Sequence, residues 1–297
     1  MAIKVLLDTD PGSDIDDAVC IGYLLSNPDC DLLGITTVTG EPEKRAMIAS
    51  AVCHAYGRED VPIYPGAAAP LLIDSHQPYA PHARVLPRWP HRKDFESGEA
   101  VNFLRRTIRE HPGEVELLTI GALTNIALLF TIDPEIPSLL RGVTIMGGRF
   151  VGGVPVHPPV EHNIRCDPHA AARVFNERGL AHLRVVGLDV TYIATQHKED
   201  IRKSFCIPQF KPILEMAEEW FQVAEHLCYH DIVAAATIFE PALFGYKKGK
   251  VWVETCTDLR GYTYFDDGAE HVHMVASEID REGFLDHFCQ VTGCKRV

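Results

Sequence analysis

The sequence predicts an α/β protein, an open and mostly parallel (mixed) sheet with helices on both faces. Two observations carry this expectation. Apolar, β-branched runs alternate with helical patterns along the chain, which is the rhythm of strand–helix–strand crossovers. The first such run, Val5-Leu6-Leu7, feeds an acidic Pro-Gly loop and then a helical segment, and ligands of open α/β sheets bind at such strand ends. With 297 residues and 46% hydrophobic composition, the chain can bury a sizeable core. We read residues 1–297 as one domain.

The elements follow in order. Ala18 to Leu25 is an apolar helical segment, and Leu32 to Val38 a second strand. Lys44 to Gly57 reads as a helix, with Ala46, Ile48, Ala49, Val52 and Cys53 forming its apolar stripe. Ala100 to His111 is a helix stopped by Pro112, Val115 to Ile120 a strand, and Leu123 to Phe130 a helix. Val143 to Met146 is a strand closed by Gly147-Gly148, Pro168 to Arg178 a helix, Leu183 to Leu188 a strand, and Ile232 to Phe239 a helix. Two segments break the rhythm. Residues 66–98 carry Pro70, Pro78, Pro81, Pro87 and Pro90 with little periodicity, as lids and binding loops do. Residues 149–162, rich in Gly, Pro and Val, read as a second active-site loop.

The loop after the first strand places Asp8, Asp10, Asp14, Asp16 and Asp17 within ten positions. Asp is favoured at helix N-caps and in first turns, but capping uses one or two carboxylates, not five. Packed this densely they repel, and a cation relieves the repulsion. An oxygen-only donor set suits calcium, magnesium or manganese rather than zinc. An EF-hand is excluded by the lack of Glu at the twelfth loop position. The strand ending D-x-D also resembles the haloacid dehalogenase phosphatases, although Gly12 stands where their Thr or Val falls.

Composition narrows the partners. A net charge of −13 without a basic stripe opposes nucleic-acid binding. No apolar run is long enough for a transmembrane helix, and no signal-peptide pattern is present. Nine cysteines without a C-x-x-C pair read as reduced thiols, so a cytoplasmic location is expected.

Taken in order, DTDPG at 8–12, IGALTNIALL at 120–129, IMGG at 145–148, VEHNIRCDPHAA at 160–171 and Tyr229-His230-Asp231 resemble the nucleoside hydrolase family, inosine–uridine-preferring type. The resemblance runs from about residue 3 to residue 276 and implies a Rossmann-like nucleoside hydrolase fold. It implies hydrolysis of a ribonucleoside N-glycosidic bond, with calcium held by Asp10, Asp17, the Thr124 carbonyl and Asp231. Asp10 would also be the general base toward a calcium-bound water. Asp16, Glu161 and Asn163 match residues that hold the ribose hydroxyls, Met146 matches a pocket residue, and His230 matches the residue that protonates or orients the leaving base. Family members are commonly homodimers or homotetramers. Taken singly, Thr124-Asn125 also reads as a helix cap, Glu161 and Asn163 as loop residues bonded to backbone, and Met146 as core packing.

The chain departs from the family pattern in several places. The usual D-x-D-P-G-x-D-D gains two residues; aligning Asp16-Asp17-Ala18 with the family's DDA leaves Asp14 as a possible extra metal ligand. Glu41 follows Gly40 where Asn is usual and is a further candidate. The early His-Gly-x-Asp-Gly segment is replaced by Pro81-His82-Ala83-Arg84, the loop before Glu161 shows Pro155, and Tyr192 stands where His is frequent. The metal-and-ribose half is retained and the base-facing half rewritten. Base contacts are expected from the 66–98 segment, through Trp89 or one of His76, His82 and His91. A riboside-binding protein with little turnover, a hydrolase of another riboside, and a magnesium phosphatase remain as alternatives.

Overall fold

The computed structural model describes residues 2–150, 160–269 and 273–297. Its elements run β1 (Ile3–Thr9), α1 (Asp16–Ser26), β2 (Cys30–Thr37), α2 (Pro42–Ala55), β3 (Ile63–Pro65), α3 (Ala100–Glu110), β4 (Val115–Thr119) and α4 (Thr124–Ile132). They continue with α5 (Ile136–Leu139), β5 (Gly142–Met146), α6 (His162–Cys166), α7 (Pro168–Phe175), β6 (Leu183–Val186), α8 (Leu188–Thr191) and β7 (Thr195–His197). The last are α9 (Lys198–Ser204), α10 (Lys211–Trp220), β8 (His226–Cys228), α11 (His230–Phe239), β9 (Phe244–Val253), β10 (Thr263–Asp266), β11 (His273–Ile279) and α12 (Arg281–Thr292).

Among the described residues the main sheet has nine strands in the order β10-β9-β11-β6-β5-β4-β1-β2-β3. From β11 to β3 all neighbours are parallel, while β9 runs antiparallel to both β10 and β11. The mixed, mostly parallel sheet expected from the alternation is the one observed. Its antiparallel edge and the separate β7–β8 pair lie in stretches where the sequence marked no element. The 66–98 segment also holds a 3-10 helix, Pro81–Arg88, and the helix expected to reach Arg178 ends at Phe175.

Burial on both faces explains the unbroken apolar strands. In β1, Val5 and Leu7 join the core beneath α1, α2, α10, α11 and α12, and Leu6 joins the opposite core beneath α3, α4 and α7. Such side chains alternate across a strand, so when both faces are covered successive positions are apolar and the period-2 pattern is lost. Among the described residues no helix is long and apolar enough to cross a membrane.

The topology also locates the site. Chain order runs from β1 outward through β2 and β3 on one side, and from β4 through β5 and β6 on the other. The order reverses between β1 and β4, and the crevice outside their carboxyl ends is where such sheets bind ligands.

Close packing across β2 gives a test of the fold. A Cβ at Gly34 would lie 2.4 Å from Phe103 Cζ and 3.1 Å from the Pro62 carbonyl. Phe103 is itself stacked on Tyr64, centroids 4.6 Å apart, so it has little room to retreat. Gly34→Ala is expected to destabilise the protein by about 1–3 kcal/mol, read as a lower urea midpoint. An unchanged midpoint would show that Phe103 moves aside freely.

Candidate active site

The crevice holds a cavity of about 400 Å³. Its lining includes Asp10, Asp14, Asp16, Asp17, Glu161 and Asp231, six carboxylates, against one guanidinium, Arg165. Asp16, Asp17 and Asp231 are buried and each places a carboxylate oxygen within 4.8 Å of the others. The chain assembles them from two helix starts. Asp16 and Asp17 open α1, and Asp231 is the second residue of α11. Helix N-termini favour negative charge, and the Asp231 amide donates to Asp16 Oδ2 at 3.3 Å. Asp17 Oδ1 accepts the Asp10 amide at 3.0 Å and the Thr9 hydroxyl, folding the loop back on the strand end. Gly121 leaves room for Asp10, since a Cβ there would stand 2.7 Å from Asp10 Oδ1.

Electrostatics set the chemistry of this cluster. Burial raises the Asp16, Asp17 and Asp231 carboxyls well above the usual range, and their neighbouring carboxylates add to the rise. Burial likewise raises Asp10 and Glu161 and pushes Asp14 up to about 7, with Asp10 contributing. The nearest internal cation is committed elsewhere. Fully buried Arg45 gives its guanidinium to the carbonyls of Gly40 (2.8 Å), Asp10, Pro11 (3.3 Å) and Tyr79 (3.2 Å). A buried oxygen-only donor set carrying several unneutralised charges fits a hard divalent cation.

The other wall binds polar groups of a different kind. Glu161 caps α6, accepting from the amides of Asn163 (2.7 Å), Ile164 (3.0 Å) and Gly148 (3.0 Å). Asn163 donates to the carbonyls of Ile120 (2.8 Å) and Met146 (3.2 Å). Both side chains therefore bond to backbone and line the cavity at once, as does Met146. His230 Nδ1 pairs with Thr191 Oγ1 at 2.7 Å, and its ring stands edge-on to Tyr192. Burial drops the His230 pKa to about 4, so its imidazole is neutral near pH 7.

Two residues singled out in the sequence lie apart from the cavity lining. Thr124 starts α4, and its hydroxyl donates to Asp167 Oδ2 at 2.8 Å. Asp167 in turn caps α7 through the Ala170 amide at 3.0 Å, so Thr124 ties two helix starts together. Glu41 has a left-handed backbone, φ 55°, and its carboxylate takes the Ala80 amide at 3.0 Å and the Lys44 ammonium. The 66–98 segment does reach the cavity, but through Gln77 rather than Trp89, His76, His82 or His91. Trp89 donates to Glu215 at 3.1 Å, His91 pairs with the Trp89 carbonyl at 2.7 Å, and His82 is buried with its amide on Gly12. Of the 149–162 loop, residues 151–159, including Pro155, lie outside the described residues; Val160 to Asn163 line the cavity. Sequence reasoning missed Ser13, His162, Arg165, Trp220 and Arg45. His162 and Arg165 sit inside the 160–171 motif and carried a signal by proximity. Arg45, in a charged stretch after Pro42, looked like a surface residue.

The raised carboxyls give a stability test. Their folded pKa values lie above the ordinary 3.8, reaching about 7 at Asp14, so the folded state binds more protons than the unfolded one across that window. These carboxyls therefore make metal-free protein lose stability as pH rises from about 4 to about 7, outweighing in number buried His82 and His230, which burial lowers to about 4 and which act in the opposite sense. In chelator the melting temperature should be higher near about pH 5 than about pH 7.5, and added calcium should raise it most at the higher pH. A metal-free melting temperature that climbs across the window would contradict this.

Comparison with known proteins agrees with the geometry. Residues 5–286 match the family described as inosine-uridine preferring nucleoside hydrolase. The chain is 31% identical to uridine nucleosidase 1 of Arabidopsis thaliana, over 96% of this chain and 91% of that protein. It is 32% identical to the pyrimidine-specific ribonucleoside hydrolase RihA of Escherichia coli, over 96% and 97% respectively. A solved plant nucleoside hydrolase superposes with a TM-score of 0.85 at 25% identity, covering 98% of this chain and 99% of that one. A purine-preferring ribonucleoside hydrolase from Gardnerella vaginalis superposes with a TM-score of 0.80 at 25% identity, covering 98% of each. With its acidic crevice at the point where strand order reverses, this chain belongs to the inosine-uridine preferring nucleoside hydrolase family.

Proposed function

We propose that this protein is a calcium-dependent ribonucleoside hydrolase, cleaving the N-glycosidic bond with water to give free base and ribose. The observation that carries the reading is the buried trio Asp16, Asp17 and Asp231, placed in one cavity with Glu161, Asn163 and His230. Asp17 and Asp231 would hold the ion, flanked by Asp10 and Asp16, and calcium suits a donor set of oxygens alone. Bound there, the ion supplies a Lewis acid that makes water a stronger nucleophile and grips vicinal hydroxyls.

The chain's own residues do the rest. Asp10 takes the proton of the attacking water; its burial raises its basicity, against the lowering pull of the nearby Arg45 charge. The water oxygen bonds to the anomeric carbon as the bond to the base nitrogen breaks. Positive charge builds on the ribose ring, and the surrounding carboxylates stabilise it. Asp16, Glu161 and Asn163 hold the ribose hydroxyls. His230 is neutral; in the tautomer where the Thr191 hydroxyl donates to Nδ1, the ring proton is on Nε2 and can hydrogen-bond the departing base. The relatives named for uridine and pyrimidine ribonucleosides favour a pyrimidine nucleoside among the substrates.

The direct experiment measures ribose released from a panel of purine and pyrimidine nucleosides, with and without chelator. Release that stops in chelator and returns with calcium is expected. No release from any nucleoside, or release indifferent to metal, would refute the proposal; tight nucleoside binding without product would make the protein a binder instead. Asp10→Asn should lower kcat by about 10²–10⁴-fold with the fold retained. Near-parental turnover would move the base role to another carboxylate.

For His230→Ala the expected pattern is selective. Turnover of natural nucleosides should fall about 10²-fold or more, and p-nitrophenyl riboside, whose leaving group needs no proton, should lose least. Equal losses on both would remove His230 from leaving-group assistance.

A further inference from the structure

The two stretches that depart most from the family pattern meet inside the cavity. Gln77, from the segment between β3 and α3, donates from Nε2 to Ser13 Oγ, and its Oε1 pairs with His162 Nε2. Ser13 belongs to the lengthened Asp loop. It also receives Arg45 Nη1 at 3.3 Å. The chain just after Gln77 is fastened to the same loop. Arg45 holds the Tyr79 carbonyl, Glu41 holds the Ala80 amide at 3.0 Å, and the His82 amide donates to the Gly12 carbonyl at 3.0 Å. Gln77 is thus set on a rigid anchor although its surroundings are open: Leu72 is 75% and Tyr79 70% exposed.

We propose that Gln77, oriented by Ser13 and His162, determines substrate specificity by hydrogen-bonding the base. The inference rests on the nucleoside hydrolase reading and extends it to a residue. Its geometry is one of floor and rim. The groups suited to the ion and the ribose hydroxyls, Asp10, Asp16, Asp17, Glu161, Asn163 and Asp231, are all buried. Gln77 is half-buried and His162 exposed, yet both line the cavity. A ribose anchored on the floor turns its base toward that rim. His162 also lies between Glu161 and Asn163 in the first turn of α6, so the sugar-holding and rim residues are parts of one rigid turn.

The carboxamide is suited to this task. Each of its polar atoms has one partner in the protein, which leaves Oε1 a second lone pair and Nε2 a second N–H. With the ring proton of His162 on Nε2, Oε1 is the end that accepts from it and Nε2 the end that donates to Ser13 Oγ. A fixed donor–acceptor pair matches either the N–H/C=O edge of a keto base or the reversed pattern of an amino base, but not both. Sites built this way reject the mismatched partner because buried polar groups are left unpaired.

The test compares the parent with Gln77→Ala, Gln77→Glu and Ser13→Ala on uridine, cytidine, inosine, adenosine, 5′-deoxyuridine and p-nitrophenyl riboside. The kcat/KM ratio of uridine to cytidine, or of inosine to adenosine, should shift by about tenfold or more in the Gln77 variants. The loss on the best natural nucleoside should exceed that on p-nitrophenyl riboside by a similar factor, and Ser13→Ala should shift the ranking in the same direction. Melting temperatures establish that the variants fold. Equal loss on every substrate, or an unmoved ranking, overturns the assignment. So does an effect that vanishes with 5′-deoxyuridine, which would place the contact on the 5′-hydroxyl. A parent that releases no ribose from any nucleoside overturns the activity itself, whereas an active parent with an unmoved ranking overturns only the role of Gln77.

Discussion

Mutual repulsion among buried carboxylates at the carboxyl end of β1 is the constraint around which this molecule is built. Each carboxylate is drawn from water, and each neighbour makes the next harder to ionise. The fold answers with partial charges first. Asp16 and Asp17 sit at the start of α1 and Asp231 at the start of α11, where the helix dipole favours an anion. Backbone amides and the Thr9 hydroxyl satisfy some of the oxygens. What remains is an excess of negative charge in an enclosed space, suited to a divalent cation and to a substrate whose ring becomes positive.

Beneath that floor lies a second tier of polar groups that never touches the cavity. Asp8 accepts from Asn125 at 2.7 Å and from Thr36, and Asn125 reaches on to the Thr37 carbonyl at 3.1 Å and the Ala67 amide at 2.9 Å. This network binds β1, β2, α4 and the start of the 66–98 segment into one unit. Asp167 does the same on the other side, joining Thr124 and the Leu71 amide to the start of α7. Rigid support of this sort is what allows catalytic side chains to hold their geometry against repulsion.

Arg45 links the two tiers to the part of the protein that is particular to this chain. Its guanidinium holds the Asp loop from beneath and the 66–98 segment from the side. Its charge moderates Asp10 and Asp17 without occupying the cation position, because its donors are spent on backbone carbonyls and the Ser13 hydroxyl. Substrate recognition can therefore diverge in the loop while the floor stays fixed.

By itself the sequence determined the parallel core and the acidic floor. Both are local in origin: doubly buried strands are apolar at most positions, and five aspartates where a strand passes into a helix read as a charge cluster wherever they fold. The same locality explains the order of elements from Val5 to Leu188 and the motifs around Glu161 and Asp231. Tertiary structure alone decided the rest. Thr124, whose carbonyl the motif offers to the ion, ties its hydroxyl to Asp167, 43 positions away. Trp89, expected over the base, packs toward α10 because Glu215 accepts its indole N–H. Gln77, with no local signal, reaches the cavity because Arg45 and Glu41 fasten the chain beside it. The antiparallel β9–β10–β11 edge was equally silent, since its strands mix exposed lysines with buried valines. A pairing between residues far apart in the chain depends on where the backbone brings them, and no spacing in the sequence records that distance.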